Sequence, residues 1–288
     1  MIFHAISDLH LTSLTPRCRK DNYIETQFKK LEWILKTVSE SKYKTLVIGG
    51  DVFDRAKEPY IITKRFVGLL LKYDINLVTI PGQHDLFYHV KGIENTPLGI
   101  IKLVSNQSNQ TIKFIEQGWG EEVTETGDVL VTHQMVIEDK ELYPGQENYV
   151  SGKNLLRKHP DFKVIVSGDN HKPFFIKTDK QILVNCGSVL RSNKDQMDHK
   201  PLIWEINISD LTATPLEIPI EQDVFNKELI EQDEMKKENK ELDAFIQSLP
   251  VQENTPNFNL ILKSVIDTKS PKKEVRDKVN QIMEVANG

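Results

Sequence analysis

Short apolar runs separated by polar turns dominate the first 220 residues of the chain. The runs are rich in Val, Ile, Leu and Phe, and such runs are typical of β-strands when Gly, Pro, Asn, Asp or Ser bounds them. The predicted strands span residues 2–7, 45–49, 76–80, 112–115, 128–132, 163–167, 173–177, 181–186, 202–207 and 211–218.

Three further segments predict helices. Residues 23–41 place apolar side chains such as Phe28 and Leu35 on one helical face, residues 60–73 predict a second helix, and residues 152–159 predict a short third. Strands and helices alternate in the first half of the chain, and strands dominate the second. This order predicts an α/β fold with two stacked sheets flanked by helices.

The composition changes beyond residue 220. Residues 221–248 are rich in Glu, Lys and Gln with a weak helical stripe, residues 258–266 predict a strand, and Ser270 is placed to cap a final helix. We therefore expect a main domain over 1–220 and a small helix–strand–helix α/β appendage over 221–288. The appendage would pack on the core, form an accessory domain, or bind a partner.

Composition and net charge limit which kinds of protein this chain can be. The chain has 288 residues, 39% of them hydrophobic, and a net charge of −5. The acidic balance argues against strong binding to DNA by the chain alone, since neutralising phosphates needs clustered Lys and Arg. The sequence contains neither an apolar run long enough for a membrane span nor a signal-peptide pattern. Two cysteines, Cys18 and Cys186, fit free thiols, so we expect a cytoplasmic protein.

Five of the predicted strands end in turns that carry Asp, His or Gln. One such residue alone is usually solvated or hydrogen-bonded, but ligands in open α/β sheets bind at strand ends, and oxygen and imidazole groups converging there indicate a metal site. The candidate residues are Asp8, His10, Asp51, Gln83, His84, His133, Asp169 and His171.

The order DLH, GGDVFD, GQHD, VTHQ and GDNH resembles the five motifs of the calcineurin-like metallophosphoesterases, D-x-H, G-D, G-N-H-D, a single H and G-H-x-H. The resemblance covers residues 1 to about 190 and implies a four-layer α/β/β/α sandwich. GGDVFDR, GDNHKPF and Cys186-Gly187-Ser188 followed by Arg191 are most similar to SbcD-type DNA nuclease subunits. The short length and the GDNH variant resemble phage members, which would place the protein in a host cytoplasm.

The resemblance implies two divalent cations bridged by Asp51. The implied ligands are Asp8, His10, Asp51 and His171 for the first cation, and Asp51, Gln83, His133 and Asp169 for the second. Gln83 replaces the usual Asn and Asp169 the usual His, which adds a carboxylate and favours Mn²⁺ or Mg²⁺ over Zn²⁺. We therefore expect a tight first site and a weaker second one.

The resemblance also implies catalytic roles. Two cations clamp the attacking and leaving oxygens of an in-line displacement, and His84 would protonate the leaving oxygen. Asp85 would orient His84, and Arg55 and Asn170 would touch phosphate.

Three functions stay open. The first is a Mn²⁺-dependent DNA exonuclease or endonuclease subunit that works with an SbcC-like coiled-coil ATPase in DNA repair, recombination or replication. The others are a phosphodiesterase or phosphatase on small molecules or nucleotides, and a non-catalytic subunit that binds a partner. The helices at 23–41 and 60–73 would either form a homodimer or pack in the core.

Three loops next to the proposed site carry aromatic and basic residues, at 11–22, 86–98 and 134–151. Such residues can stack bases and hold phosphates. The alternative is that the aromatics only anchor the loops.

Overall fold

A computed structural model describes residues 1–90, 92–105, 111–138, 147–233, 235–236, 240 and 276–277. The chain divides into two compact units, Met1–Phe225 and Asn226–Gly288. The first unit contains all the predicted site residues, and its architecture is described below. Within the described ranges, no helix is long and apolar enough to cross a bilayer.

Four helices and twelve strands make up the described part of the first unit. The helices are α1 Tyr23–Ser39, α2 Tyr60–Tyr73, α3 Pro97–Val104 and α4 Gly152–Lys158. The strands are β1 Ile2–Ile6, β2 Thr45–Ile48, β3 Asn76–Thr79, β4 Phe114–Gln117, β5 Val129–His133, β6 Val136–Ile137, β7 Val150–Ser151, β8 Val164–Gly168, β9 Phe174–Lys177, β10 Ile182–Asn185, β11 Leu202–Asn207 and β12 Thr212–Glu217.

The strands form two mixed five-stranded sheets and one small pair. The first sheet has the order β12-β11-β1-β2-β3, and the second has the order β4-β5-β8-β10-β9. The strands that carry the site are parallel in each sheet, with Ala5 opposite Val47 in one and Val131 opposite Val166 in the other. The short strands β6 and β7 pair separately.

Alternation of side chains along the strands builds three apolar layers. One layer packs the face of the first sheet that carries Ile6 and Ile48 against α1, α2 and α3. The second packs the two sheets against each other through residues such as Phe3 and Val166. The third packs the outer face of the second sheet, including Ile165, against α4. The predicted arrangement of two stacked mixed sheets flanked by helices is confirmed.

Most element predictions hold within a few residues, and the differences fall in the loops. Helix α3 was not predicted, because its apolar run is short and follows a polar turn; Thr96 caps it and Pro97 is its first residue. Strands β6 and β7 have only two residues each and leave no periodic signal. The strand predicted at 258–266 and nearly all of the final helix predicted from Ser270 lie outside the described residues.

Candidate metal centre

The predicted ligands come together where strands of both sheets end. Asp8 and His10 follow β1, Asp51 follows β2, Gln83 and His84 follow β3, His133 ends β5, and Asp169 and His171 follow β8. Because parallel strands of a sheet point the same way, their carboxyl ends lie along one edge. The two sheets present these edges to each other, so all eight side chains are brought together.

Four of these residues have an unusual backbone. The φ angle is 52° at Asp8, 44° at His10, 48° at Asp51 and 83° at Asp169. A non-glycine residue with positive φ is uncommon and costs free energy, so such turns persist only where the surrounding packing holds them. Gly50 also has a positive φ, and a Cβ at this position would collide with the imidazole of His133.

The first group of ligands surrounds Asp8, which is fully buried. Its Oδ1 lies 3.6 Å from His171 Nε2 and 3.9 Å from His10 Nε2, and the two imidazole nitrogens are 3.3 Å apart. Burial raises the pKa of Asp8 to about 6, although the nearby imidazoles act in the opposite direction. One ligand atom from each residue falls within 4.8 Å of the others, which is close enough to share one cation.

Asp51 lies between the two groups. Its Oδ2 is 3.7 Å from His10 Nε2 and 3.4 Å from His133 Nε2, while Oδ1 accepts a 3.0 Å hydrogen bond from the backbone N–H of His84. Burial alone would raise the pKa of Asp51, but the neighbouring imidazoles, His133 foremost, lower it to about 2. An ionised carboxylate in this central position has the placement that a bridging ligand needs.

The second group contains His133, Gln83 and Asp169. His133 Nδ1 donates a 2.6 Å hydrogen bond to the Gly49 carbonyl, which leaves Nε2 at 4.0 Å from Asp169 Oδ1 and without a hydrogen-bond partner in the described structure. Gln83 Nε2 donates to Asp169 Oδ1 at 2.9 Å, and its Oε1 is buried and also lacks a partner. Burial lowers the pKa of His133, but the Asp51 carboxylate raises it to about 10.

These unsatisfied atoms test whether the residues fit a metal. A buried polar atom without a partner is rare in native proteins and calls for an ion, a water or another explanation. Here the two atoms are an imidazole nitrogen, 3.4 Å from Asp51 Oδ2, and an amide oxygen, and both are good ligands. The residues therefore fit two divalent cations, with the two groups sharing Asp51.

His84 is exposed above this cluster, with its ring centroid 4.8 Å from that of His10. Its Nδ1 donates a 2.8 Å hydrogen bond to the backbone carbonyl of Asp54. A carbonyl only accepts, so this contact keeps a proton on Nδ1 and makes Nε2 the nitrogen that exchanges a proton.

The expectation that Asp85 orients His84 is wrong. Asp85 is 1% exposed, and its carboxylate accepts hydrogen bonds from the backbone N–H groups of Val52, Phe53 and Gly82 at 2.9–3.2 Å. Burial raises its pKa to about 7. Asp85 therefore ties the turn after β3 to the turn after β2 and makes no hydrogen bond to the His84 side chain in the described structure.

The expected phosphate contacts of Arg55 and Asn170 stay predictions, and of the two only Asn170 lines the site cavity. Arg55 Nε donates to Glu58 Oε1 at 2.9 Å, and Arg55 does not line the site cavity. Asn170 is buried, and its side chain donates to the Val136 carbonyl at 2.8 Å and accepts from the Lys172 N–H at 3.0 Å. Both side chains are already engaged in holding loops.

The metal centre lines one side of a cavity of about 1070 Å³. The lining also includes residues from the loop 192–199, namely Ser192, Asn193, Asp195, Gln196, Asp198 and His199. Sequence reasoning missed this wall, because it is a loop with a short 3₁₀ turn and does not directly follow an apolar strand.

The structure places the residues of the three aromatic and basic loops differently. Arg19 in the 11–22 loop is buried and paired with Asp21, so it anchors the loop. Tyr88 in the 86–98 loop is 94% exposed. Part of the 134–151 loop, residues 139–146, lies outside the described residues.

One family model and several solved structures are similar to this chain. A family model described as calcineurin-like phosphoesterase matches residues 1–173. A comparison with curated proteins gave no match. Among solved structures, an archaeal phosphodiesterase is 14% identical with a TM-score of 0.43, covering 75% of this chain and 99% of its own.

Two other solved structures are similar at the same level. A dimetal phosphatase from Danio rerio is 10% identical with a TM-score of 0.44, covering 77% of this chain and 99% of its own. Vacuolar protein sorting 29 from Cryptosporidium parvum is 14% identical with a TM-score of 0.36, covering 75% and 95%. Because the family model matches more than half of the 288 residues, the chain belongs to the calcineurin-like phosphoesterase family.

Proposed function

We propose that this protein is a metal-dependent phosphodiesterase that cleaves DNA. The observation that carries the phosphodiesterase part is the position of His84, an exposed imidazole whose ring lies 4.8 Å from the ring of the ligand candidate His10. Such an arrangement places a proton donor beside the atoms that would hold metal.

The residues divide the chemistry between them. The Asp8 and His133 groups, joined by Asp51, would hold two divalent cations, Mn²⁺ or Mg²⁺ by the hardness of the donor set. When bound, the cations supply charge that clamps the attacking and leaving oxygens of an in-line displacement.

His84 would supply the proton. Its Nδ1–H donates to the Asp54 carbonyl, so the ring is fixed in one orientation and Nε2 is left to transfer a proton to the leaving oxygen. The backbone N–H of His84 also donates to Asp51, which keeps its distance from the cluster constant. The chain thus positions its acid by two contacts that do not depend on substrate.

Two features support DNA as the substrate. GGDVFDR and GDNHKPF resemble SbcD-type nuclease subunits, and the cavity of about 1070 Å³ is roomy enough for more than a single phosphate ester. By the same resemblance we propose an SbcC-like ATPase partner, a homodimer through the faces of α1 and α2 that do not pack in the core, and an accessory region at 221–288 that contacts the partner.

One observation favours a second candidate, a phosphodiesterase or phosphatase on small molecules or nucleotides. Asp195 and Asp198 also line the cavity, and acidic groups repel the repeated phosphates of a nucleic acid. A substrate with a single phosphate would avoid most of this repulsion.

Cleavage assays separate these functions. The purified chain with Mn²⁺ is given linear single- and double-stranded DNA and, separately, bis(p-nitrophenyl) phosphate, next to His84→Ala and the control His89→Ala. His89 is also exposed but does not line the cavity. We expect both DNA and the small ester to be cleaved and His84→Ala to lower kcat on DNA about 10²–10⁴-fold, as removal of a general acid does.

The other outcomes also discriminate. Cleavage of the small ester without cleavage of DNA would select the second candidate. Failure of the native chain on both substrates, with Mn²⁺ binding intact, would point to a non-catalytic subunit. An equal loss in His84→Ala and His89→Ala would contradict the acid role of His84.

A further inference from the structure

The described lining of the site cavity is strongly acidic. Five aspartates line it, whereas Lys172 is the one Lys or Arg side chain among the described lining residues. Two divalent cations would neutralise the ligand carboxylates and the scissile phosphate, but they leave any second phosphate of the substrate without a positive partner. Lys172 is therefore the cation to consider for that second phosphate.

The backbone of Lys172 is held firmly from both sides. Its N–H donates to Asn170 Oδ1 at 3.0 Å, and its carbonyl accepts a 2.8 Å hydrogen bond from Nδ2 of Asn185, which is fully buried. The residue directly precedes Pro173, which fixes the chain further. The base of the side chain is thus immobilised one residue away from His171.

The side chain itself is uncommitted. Lys172 is exposed, and within the described ranges its ammonium makes neither an ion pair nor a hydrogen bond. Some other lysines of this protein are paired instead, such as Lys44 with Asp74 and Lys72 with Glu32. A fixed backbone and an unpaired ammonium in the lining of an acidic cavity suit a residue that binds an anionic ligand.

We propose that Lys172 binds the phosphate next to the scissile one and thereby selects polynucleotides over small phosphodiesters. The inference rests on the proposed cleavage of DNA. A strand offers a neighbouring phosphate at every nucleotide, whereas bis(p-nitrophenyl) phosphate has only one phosphate, which the metal centre takes. Lys172 would therefore act on binding of the strand, and its loss would appear mainly in KM.

The test compares native protein, Lys172→Met, Lys172→Arg and Lys180→Ala, each with Mn²⁺, on a 20-nucleotide single-stranded DNA and on bis(p-nitrophenyl) phosphate. Lys172→Met keeps the aliphatic length without the charge, Lys172→Arg keeps the charge, and Lys180 is an exposed lysine outside the cavity lining. KM on DNA is also measured over a range of KCl concentrations, because each lost phosphate contact lowers the slope of log affinity against log salt by about 0.7–0.9.

We expect Lys172→Met to raise KM on DNA about tenfold, as loss of one charged hydrogen bond does, and to lower the salt slope by about one contact. In Lys172→Met, the ratio of kcat/KM on DNA to kcat/KM on the small ester should fall by the same factor. Lys172→Arg should keep most of the native ratio. Equal losses on both substrates, or a change no larger than that of Lys180→Ala, would overturn the inference. If native protein cleaves the small ester and leaves DNA intact, the proposed function fails first, and the inference with it.

Discussion

Gln83 Nε2 donates a 2.9 Å hydrogen bond to Asp169 Oδ1. These are the two positions at which the chain departs from the motifs it resembles, with Gln in place of Asn and Asp in place of His. The extra methylene of Gln83 lets its amide reach the carboxylate, which is shorter than the imidazole it replaces. The two departures are therefore in contact, and each compensates for the change in length of the other.

This contact predicts that the two positions are energetically coupled. Gln83→Asn alone would lose the bond to Asp169, and Asp169→His alone would crowd the longer amide, so each should weaken Mn²⁺ binding at the second site several-fold. The double variant restores the usual pair and should bind more tightly than the two single losses predict, with a coupling of ~0.5–3 kcal/mol. Calorimetric titration of all four proteins gives the coupling. Strictly additive losses would show that the two positions act independently.

We predict that substitution of Asp85 lowers the stability of the fold rather than the catalytic rate. Its buried carboxylate accepts three backbone N–H groups, so Asp85→Ala would leave these donors without a partner and lower the free energy of unfolding by roughly 2–4 kcal/mol. Urea unfolding measures the change, with the exposed Asp179→Ala as the control. If Asp85→Ala unfolded like the control but had lost kcat, a direct catalytic role would replace the structural one.

The positions of the eight site residues could be predicted because each lies where an apolar run ends. Val131 and Val166, for example, lie on neighbouring parallel strands, and the residues that follow them must meet at the same edge. The periodicity of apolar residues and the positions of turn residues were sufficient to predict where the site residues meet. They also predicted the stacked layers of the fold.

The partners of those residues could not be predicted in the same way. Nothing in the order of residues shows that the Asp54 carbonyl, rather than the Asp85 carboxylate, meets His84, because this depends on positive φ at Asp51 and on how two turns pack. The wall at 192–199 was missed for a related reason. Its position is set by contacts such as that of Arg191 with the Met197 carbonyl, which join residues of an irregular loop.

Asp54 is placed to tune the first metal site. Its carbonyl holds His84, while its carboxylate Oδ1 lies 3.8 Å from Nδ1 of His10, a buried nitrogen without a hydrogen-bond partner in the described structure. A carboxylate beside a metal-binding imidazole typically raises metal affinity 10–100-fold. Asp54→Ala keeps the backbone contact with His84, so we expect weaker Mn²⁺ binding at the first site and a small change in kcat at saturating Mn²⁺. Calorimetry with parallel kinetics measures both, and a large fall in saturated kcat with unchanged affinity would contradict this assignment.

We predict that substitution of Lys30 raises the free energy of unfolding, by an amount that depends on pH. The residue is 4% exposed, its Nζ lacks a hydrogen-bond partner in the described part of the chain, and burial lowers its pKa to about 8 from 10.5. Below pH 8 both the folded and the unfolded chain carry the charge, so the full cost of burying an ammonium is present. As pH rises from 8 to 10.5 the folded chain loses the proton first, and the cost disappears.

Lys30→Met should therefore raise the free energy of unfolding at pH 7 by ~1–3 kcal/mol, because an apolar side chain of similar length replaces an unpaired buried charge. The gain should shrink steadily between pH 8 and 10.5. The matched control is Lys36→Met, on the exposed face of α1. It removes one lysine and leaves every other titrating group, Lys30 included, in place. Urea unfolding at several pH values measures both. A loss of stability in Lys30→Met at pH 7 would mean that the ammonium is held by a favourable partner. Glu221 is the first acid to test, since its charge raises the pKa of Lys30.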